Sequence, residues 1–251
     1  MIKKQRVIVI TGASRGLGAS LAKQSLSADT LLITISRSEN AQLAEEASRA
    51  GASYHAISAD LSSPEGTAAA QEHLLAILPA NASAYRLINN AGTVDPVALC
   101  SNLNDSKAIA QALQLNVVSV ISLTATFLQH IAQIQADKRV LNISSGAGRS
   151  PVSGWTVYCA SKAALDHYTR TLASEGHDVR CASLAPGVID TEMQAHIRGQ
   201  SRDDFPGLSR FIDLHQSQQL MSAEATAANI IHYLESPQFG NQVIDDIRHH
   251  S

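Results

Sequence analysis

The chain is poor in the residues that staple or ligate. Its three cysteines, Cys100, Cys159 and Cys181, are scattered with no C-x-x-C spacing, which argues against a zinc site and against a disulfide framework. Free thiols suit a reducing compartment, so a cytoplasmic location is expected. The ten histidines form no metal pattern, and no metal is expected. Aromatic residues make up 4% of the chain, with Trp155 as the one tryptophan. Charged residues are 16% and the net charge is −3, which gives nucleic-acid binding no electrostatic support. No apolar run approaches the ~18 residues of a membrane span, so no membrane partner is expected. Lys3, Lys4 and Arg6 before Val7-Ile8-Val9-Ile10 imitate the start of a signal peptide, but the apolar stretch stops at Thr11-Gly12. That is short of the ~7–15 residues of a signal core. His249-His250 and the pairs Asp203-Asp204 and Asp245-Asp246 read as solvated surface groups.

What is present is alternation. The 251 residues, 45% hydrophobic, fit one large α/β domain spanning 1–251. Strand-like apolar runs fall at 7–10, 31–35, 54–57, 86–88, 140–143, 179–184 and 242–244. Helix-like segments fall at 18–28, 42–50, 64–78, 107–134, 157–174 and 223–235. Such alternation implies right-handed βαβ units: a doubly wound, seven-stranded parallel sheet with helices on both faces. The stretch 190–221 is long, of mixed polarity and broken by Pro206-Gly207. Ligands of such sheets sit beyond the carboxyl ends of the strands, so this insertion after the sixth strand is a candidate substrate lid. The plainer alternative is a surface excursion.

Two sites carry chemistry. Tyr158 and Lys162 are four residues apart, one helical turn, so a phenol and an ammonium share a helix face. A cation beside a phenol favours the phenolate and is expected to pull its pKa down from about 10, making it a proton donor and acceptor near neutrality. With five tyrosines and six lysines, random placement would give such a pair only ~0.1 times. The second site, Thr11-Gly12-Ala13-Ser14-Arg15-Gly16-Leu17-Gly18, lies between a buried strand and a helix. Glycines admit the backbone to a pyrophosphate, and free N–H groups with the helix dipole favour its charge. The spacing is G-x-x-x-G-x-G, not the common G-x-G-x-x-G; a ligand-free tight turn is the bland alternative.

The end of the second strand adds the nucleotide type. An NAD site usually offers an acid to the adenosine ribose there, ~20 residues past the glycine turn. This chain reads Thr34-Ile35-Ser36-Arg37-Ser38, with no acid at the tip. Arg37 and Arg15 match a 2′-phosphate, which takes guanidinium donors well. NADP(H) is therefore the expected cofactor.

Together these residues resemble the short-chain dehydrogenase/reductase family, and the resemblance covers nearly the whole chain. It runs in order through Thr11 to Gly18, Asp60-Leu61, Asn89-Asn90-Ala91-Gly92, Asn116, Ser144-Ser145, Tyr158 with Lys162, and Pro186-Gly187-Val188 followed by Thr191. The surroundings of Tyr158, Gly154 to Cys159, and the stretch from Pro186 to Gln194 are similar to the sepiapterin reductase and bacterial benzil reductase branch, which reduces vicinal dicarbonyls and related ketones with NADPH. The resemblance implies a Rossmann-type fold. It places Gly12, Ser14, Arg15, Gly16, Leu17, Gly18 and Arg37 on the cofactor, with Asp60 and Leu61 at the adenine edge. Asn89, Ala91 and Gly92 would form the cofactor wall, and Pro186, Gly187, Val188 and Thr191 its far side.

In the same resemblance Tyr158 supplies a proton and Ser145 stabilises charge on the carbonyl oxygen. Lys162 binds the nicotinamide ribose and lowers the pKa of Tyr158, and Asn116 positions a water behind the lysine. Ser144 is the rival serine; the thirteen-residue family spacing to Tyr158 favours Ser145. The strand at 140–143 runs into Ser144-Ser145 while Tyr158 opens the next helix, so the two can meet over one strand end. Trp155, Met193 and Phe205, with Val94 and Leu99 opposite, are candidate pocket walls around a small carbonyl substrate. Sepiapterin reductases anchor the pterin with a C-terminal aspartate, and Asp245-Asp246 is not clearly in that register. A reductase of β-ketoacyl thioesters on an acyl carrier shares these catalytic residues, but 190–221 is not basic enough to favour it. A non-catalytic NADPH-binding scaffold is the third reading. The long helices 107–134 and 157–174 carry extra small and apolar residues. In the family they pack across a two-fold axis, so a homodimer is expected, with a tetramer as the larger option.

Overall fold

The central apolar runs become strands because their β-branched and aliphatic side chains are covered on both faces, the signature of a parallel sheet. In the computed structural model, which describes residues 5–250, the strands are β1 (Arg6–Thr11), β2 (Thr30–Ser36), β3 (Ser53–Ser58), β4 (Ala84–Asn89), β5 (Asp137–Ile143) and β6 (Arg180–Ala185), a short pair β7 (Ile189–Asp190) and β8 (Met221–Ser222), and β9 (Ile244–Asp246). Seven of them form one parallel sheet in the order β3-β2-β1-β4-β5-β6-β9. Val7 pairs with Leu31 on one side and Tyr85 on the other. The strand order reverses at β1 and β4, which opens the ligand crevice above their carboxyl ends.

The helices are α1 (Gly16–Gln24), α2 (Ala41–Ala50), α3 (Pro64–Ile77), α4 (Ser106–Leu113), α5 (Ser119–Ile131), α6 (Thr156–Ser174), α7 (Glu192–Arg198), α8 (Leu208–Gln216) and α9 (Ala223–Glu235). Several are started by side chains that accept from their first-turn N–H groups: Asn40 from Leu43, Ser63 from Gly66, and Ser222 from Ala225. Such caps satisfy donors that a helix leaves unpaired. One face of the sheet is covered by Leu74 of α3, Leu123 and Phe127 of α5 and Leu172 of α6. The other is covered by Leu21 of α1, Leu43 of α2 and Ala227, Ile230 and Tyr233 of α9. Beneath the sheet, buried Arg86 is held by Asp137 and Glu235 at 2.7 and 3.0 Å.

Four expectations are corrected. The helix expected over 107–134 is two helices, α4 and α5, joined by a π-turn at Gln114–Val118. The last strand lies at Ile244–Asp246, displaced from 242–244, and it buries Asp245 and Asp246 instead of exposing them. The Asp245 carboxylate accepts from the Tyr233 hydroxyl at 2.9 Å and from the Asp246 N–H at 2.8 Å. It also pairs with His250 at 2.7 Å, and that ring stacks on Tyr233, so His250 is docked on the protein. Separately, Ser106–Ile131 has the length and mean hydropathy, 1.5, of a membrane span. Here α5 buries Leu123, Phe127 and Ile131 against the sheet, while Val118 and Ile121 remain exposed.

The stretch 190–221 folds as α7 and α8, and its two ends are tied by the parallel β7–β8 pair, Ile189 to Met221 and Asp190 to Ser222.

Candidate active site

The glycine turn follows β1 as its sequence requires. Gly12 has φ +69, and a Cβ there would lie 2.8 Å from the Ala91 Cα. At Gly18 a Cβ would lie 2.0 Å from the Gly12 carbonyl oxygen. Only glycine permits both the left-handed conformation and that approach. The turn is braced from β4: Asn90 Nδ2 donates to the Thr11 and Gly12 carbonyls at 3.1 Å, and the Asn90 and Ala91 N–H groups donate to Thr11 Oγ1 at 3.0 Å. Helix α1 has no side-chain cap and no acid in its first turn, so its positive end faces the crevice unneutralised, which fits a phosphate. Ser14 and Gly16 belong to this turn, and Thr191 lies over it, 3.5 Å from where a Gly16 Cβ would be. Leu17 is buried beneath it.

Other cofactor candidates divide. Pro186, Gly187 and Val188 continue from the buried β6 strand, and Gly187 is exposed with no atom near its Cβ position. Asp60, at the end of β3, accepts from the Ser62 N–H at 3.0 Å and the Ser62 hydroxyl at 2.7 Å. Those bonds, and more weakly Arg37, hold its carboxyl below the usual range. Leu61 is packed in the core. Arg37 is exposed beyond β2, whereas Arg15 is engaged in an ion pair with Glu192 at the start of α7. The side chain of Asn89 does not line the wall as expected. It is buried and donates to Thr124 Oγ1 at 3.0 Å and Asn142 Oδ1 at 2.8 Å, because its strand position points into the α5 face. The neighbour Asn90 reaches the turn instead; its place in the same motif was the available signal.

Ser145, Tyr158 and Lys162 meet above the ends of β5 and α6. Ser145 has extended backbone and heads a short turn, its Oγ accepting from the Ala147 N–H at 3.2 Å. Its hydroxyl lies close enough to Tyr158 to draw that phenol's pKa down. Lys162 Nζ donates to the Ile143 carbonyl at 2.8 Å and lies 5.7 Å from the Tyr158 ring centre. Burial pushes the Lys162 ammonium down to about 8, with the Asp166 carboxylate pulling it back up. Burial also dominates at Tyr158: its pKa is raised above 10, against the smaller opposing effect of the Ser145 hydroxyl. The expected depression of the phenol by Lys162 is thus corrected: burial is the largest influence on Tyr158, and Lys162 is not among the groups that shift it.

Asn116 sits in the π-turn, where such irregularities often serve a site. Its Oδ1 accepts from the Thr93 N–H at 2.9 Å, and its Nδ2 donates to the Thr93 carbonyl at 2.8 Å and to Ser161 Oγ at 3.1 Å. Its side chain therefore brackets the loop after β4 to α6. Gly92 completes this corner, its Cβ position 3.2 Å from Asn116 Oδ1 and 3.7 Å from Lys162 Nζ.

Beside Tyr158 is an aromatic cluster. Trp155 stacks on Phe205 at 4.9 Å, meets Tyr158 edge-on at 5.3 Å and touches Phe211 at 5.2 Å between centroids. Val94 joins it. The expected walls Met193 and Leu99 do not: Met193 is exposed on α7, and Leu99 is half-buried outside the cluster. Phe211, unforeseen, comes from the buried stripe of α8. The indole N–H of Trp155 is buried and donates to no protein atom, a costly state for a donor. Two polar contacts tie α7 across the crevice, Glu192 to Arg15 and His196 to Asp95, the latter at 2.8 Å. Among the described residues no cluster of three or more metal-ligating side chains exists.

This is the fold and site geometry of an oxidoreductase built for nicotinamide cofactors. Residues 6–202 match the short chain dehydrogenase family model, and the chain belongs to that family. It is 38% identical to the benzil reductase ((S)-benzoin forming) of Bacillus cereus over 93% of this chain and 96% of the relative. It is 34% identical to the sepiapterin reductase of Xenopus tropicalis over 92% of each. The crystal structure of the KRED1-Pglu enzyme superposes with a TM-score of 0.81 at 32% identity, covering 95% of this chain and 99% of that one. The resemblance to the sepiapterin and benzil reductase branch thus extends along the chain, and the enzyme acts on carbonyl or hydroxyl groups.

Proposed function

We propose that the protein is an NADPH-dependent carbonyl reductase whose substrates are vicinal dicarbonyls. Reduction adds a hydride to the carbonyl carbon and a proton to its oxygen, and the bound nicotinamide supplies the hydride. Tyr158, kept as the neutral phenol by its burial, gives the proton. Ser145 accepts from Ala147 through Oγ, which leaves its own proton to stabilise the developing alkoxide. Lys162 spends one proton on Ile143 and turns the rest of its ammonium to the nicotinamide ribose. The open glycine turn and the start of α1 hold the pyrophosphate, and Arg37 and Arg15 receive the 2′-phosphate.

The observation that carries the substrate class is the aromatic cluster of Trp155, Phe205 and Phe211 beside Tyr158. That cluster suits an aryl diketone, and α7–α8 form the lid. The benzil reductase relatives support the same reading. The three cysteines are free, which fits the reducing cytosol where we place the protein. A panel of benzil, sepiapterin, a β-ketoacyl thioester and a monoketone, followed by NADPH absorbance, tests it. Benzil should give the highest kcat/KM, and Tyr158→Phe should cut its turnover by at least ~10²-fold. Preference for the thioester, or a Tyr158→Phe variant of wild-type turnover, would refute the proposal.

A further inference from the structure

Asp166 lies one helical turn past Lys162, has no counterpart in the motifs above, and is 2% exposed. A carboxylate is buried at high cost unless its oxygens are satisfied, and here they are. Oδ1 accepts from the Ser144 hydroxyl at 2.6 Å and the Ser183 hydroxyl at 2.7 Å. Oδ2 accepts from Arg149 Nε at 3.1 Å. Two of these partners flank Ser145 in the chain, Ser144 immediately before it and Arg149 four residues after. The turn between them is pressed onto α6 at the lysine itself: a Cβ at Gly148 would lie 2.8 Å from the Lys162 carbonyl carbon. Arg149 also reaches the Asp245 carbonyl at 2.8 Å, which fixes the far side of the loop to β9.

We propose that Asp166 is a positioning residue of the active site, gripping the Ser145 loop on both sides and holding it in register with Tyr158 and Lys162 on α6. The proposal rests on the reading of those three residues as the reacting constellation. A residue that only stabilised the fold would have no reason to bind both flanks of one serine. Asp166 has a second effect through charge. The groups facing it are Lys162 on its own helix, Arg149 from the loop after β5, the serine hydroxyls of Ser144 and Ser183, and, beyond Arg149, the main chain of Asp245. Its negative charge draws the buried Lys162 ammonium upward, so it keeps that lysine cationic at the pH where Tyr158 must act as an acid.

The test uses the full-length enzyme with benzil as the probe ketone. Asp166→Asn keeps the size and one acceptor but removes the charge and the Arg149 pair. Its kcat should fall ~10–10²-fold, the scale of a misplaced catalytic group. KM and NADPH affinity by fluorescence should be held. The basic limb of kcat/KM should move to lower pH, because Lys162 loses the charge that raised it. Asp166→Glu should lose kcat but keep the limb, which a merely structural role would not separate. Should Asp166→Asn fail to fold by circular dichroism, Ser144→Ala removes one grip alone and should lower kcat without moving the limb. Wild-type kcat and an unmoved limb in Asp166→Asn, or wild-type kcat in Ser144→Ala, overturns the proposal. Tyr158→Phe is measured alongside. If it is inactive while Asp166→Asn is normal, only the positioning role fails; if it is active, the catalytic reading itself fails.

Discussion

Cofactor choice should be set by two arginines that the structure does not leave equivalent. Arg37 is exposed beyond β2 with Asp60 as a nearby carboxylate already held by Ser62. Its contact to a 2′-phosphate should therefore express most of a charge-assisted hydrogen bond, roughly 1.5–3 kcal/mol, or ~10–150-fold in NADPH affinity. Arg15 must first leave Glu192. That pair is well exposed on both sides, so breaking it costs only about 0.2–1 kcal/mol. Arg15→Ala should accordingly weaken NADPH less than Arg37→Ala does. Glu192→Gln, which frees Arg15, should tighten NADPH by roughly 1.5–5-fold. Titration of protein fluorescence with NADPH and with NADH measures all three variants, and NADH affinity should barely respond to any. Equal losses for the two cofactors in Arg37→Ala, or weaker NADPH binding in Glu192→Gln, would refute the assignment of the 2′-phosphate site.

The pH profile follows from burial. Lys162 is pushed down to about 8 and Tyr158 upward, so reductive kcat/KM should be level at neutral pH and fall above about pH 8 as the ammonium loses its proton. A profile flat to pH 10 would exclude that role of Lys162. Trp155→Ala removes the ring stacked on Phe205 and edge-on to Tyr158; losing an aromatic contact of about 0.5–1.5 kcal/mol should cost ~2–12-fold in kcat/KM for benzil. Val118 and Ile121 leave apolar surface uncovered beside α5, which a second copy of the chain would bury. Light scattering at micromolar concentration should give at least twice 26.6 kDa, and Ile121→Asp should yield monomer; a 26.6 kDa wild-type species refutes the dimer.

How far the chain could be read depended on whether a residue's role is local. The strands and the glycine turn were legible because their causes lie within a few residues: apolar runs of strand length, and glycines where only glycine fits. The pairing of Tyr158 with Lys162 was legible for the same reason, since helical periodicity alone puts them on one face. The break between α4 and α5 was not, because Asn116 is drawn in by Thr93 and Ser161 from distant elements, and no cap or proline marks the π-turn. The aspartates of β9 misread as surface charge because the partners that make their burial tolerable, Tyr233 and His250 at Asp245 and Arg248 at Asp246, are supplied by tertiary packing and by the tail. The sign of the Tyr158 shift failed on the same ground: sequence spacing reports a neighbouring cation, but only the packed site reports how much water the phenol has lost. Desolvation is a property of the whole fold, and at this site it raises the phenol and lowers the lysine. A phenol raised by burial keeps its proton at neutral pH, and a lysine lowered to about 8 is still cationic there. Reduction uses the proton that burial holds on Tyr158, and oxidation of the alcohol would call for alkaline conditions to form the phenolate.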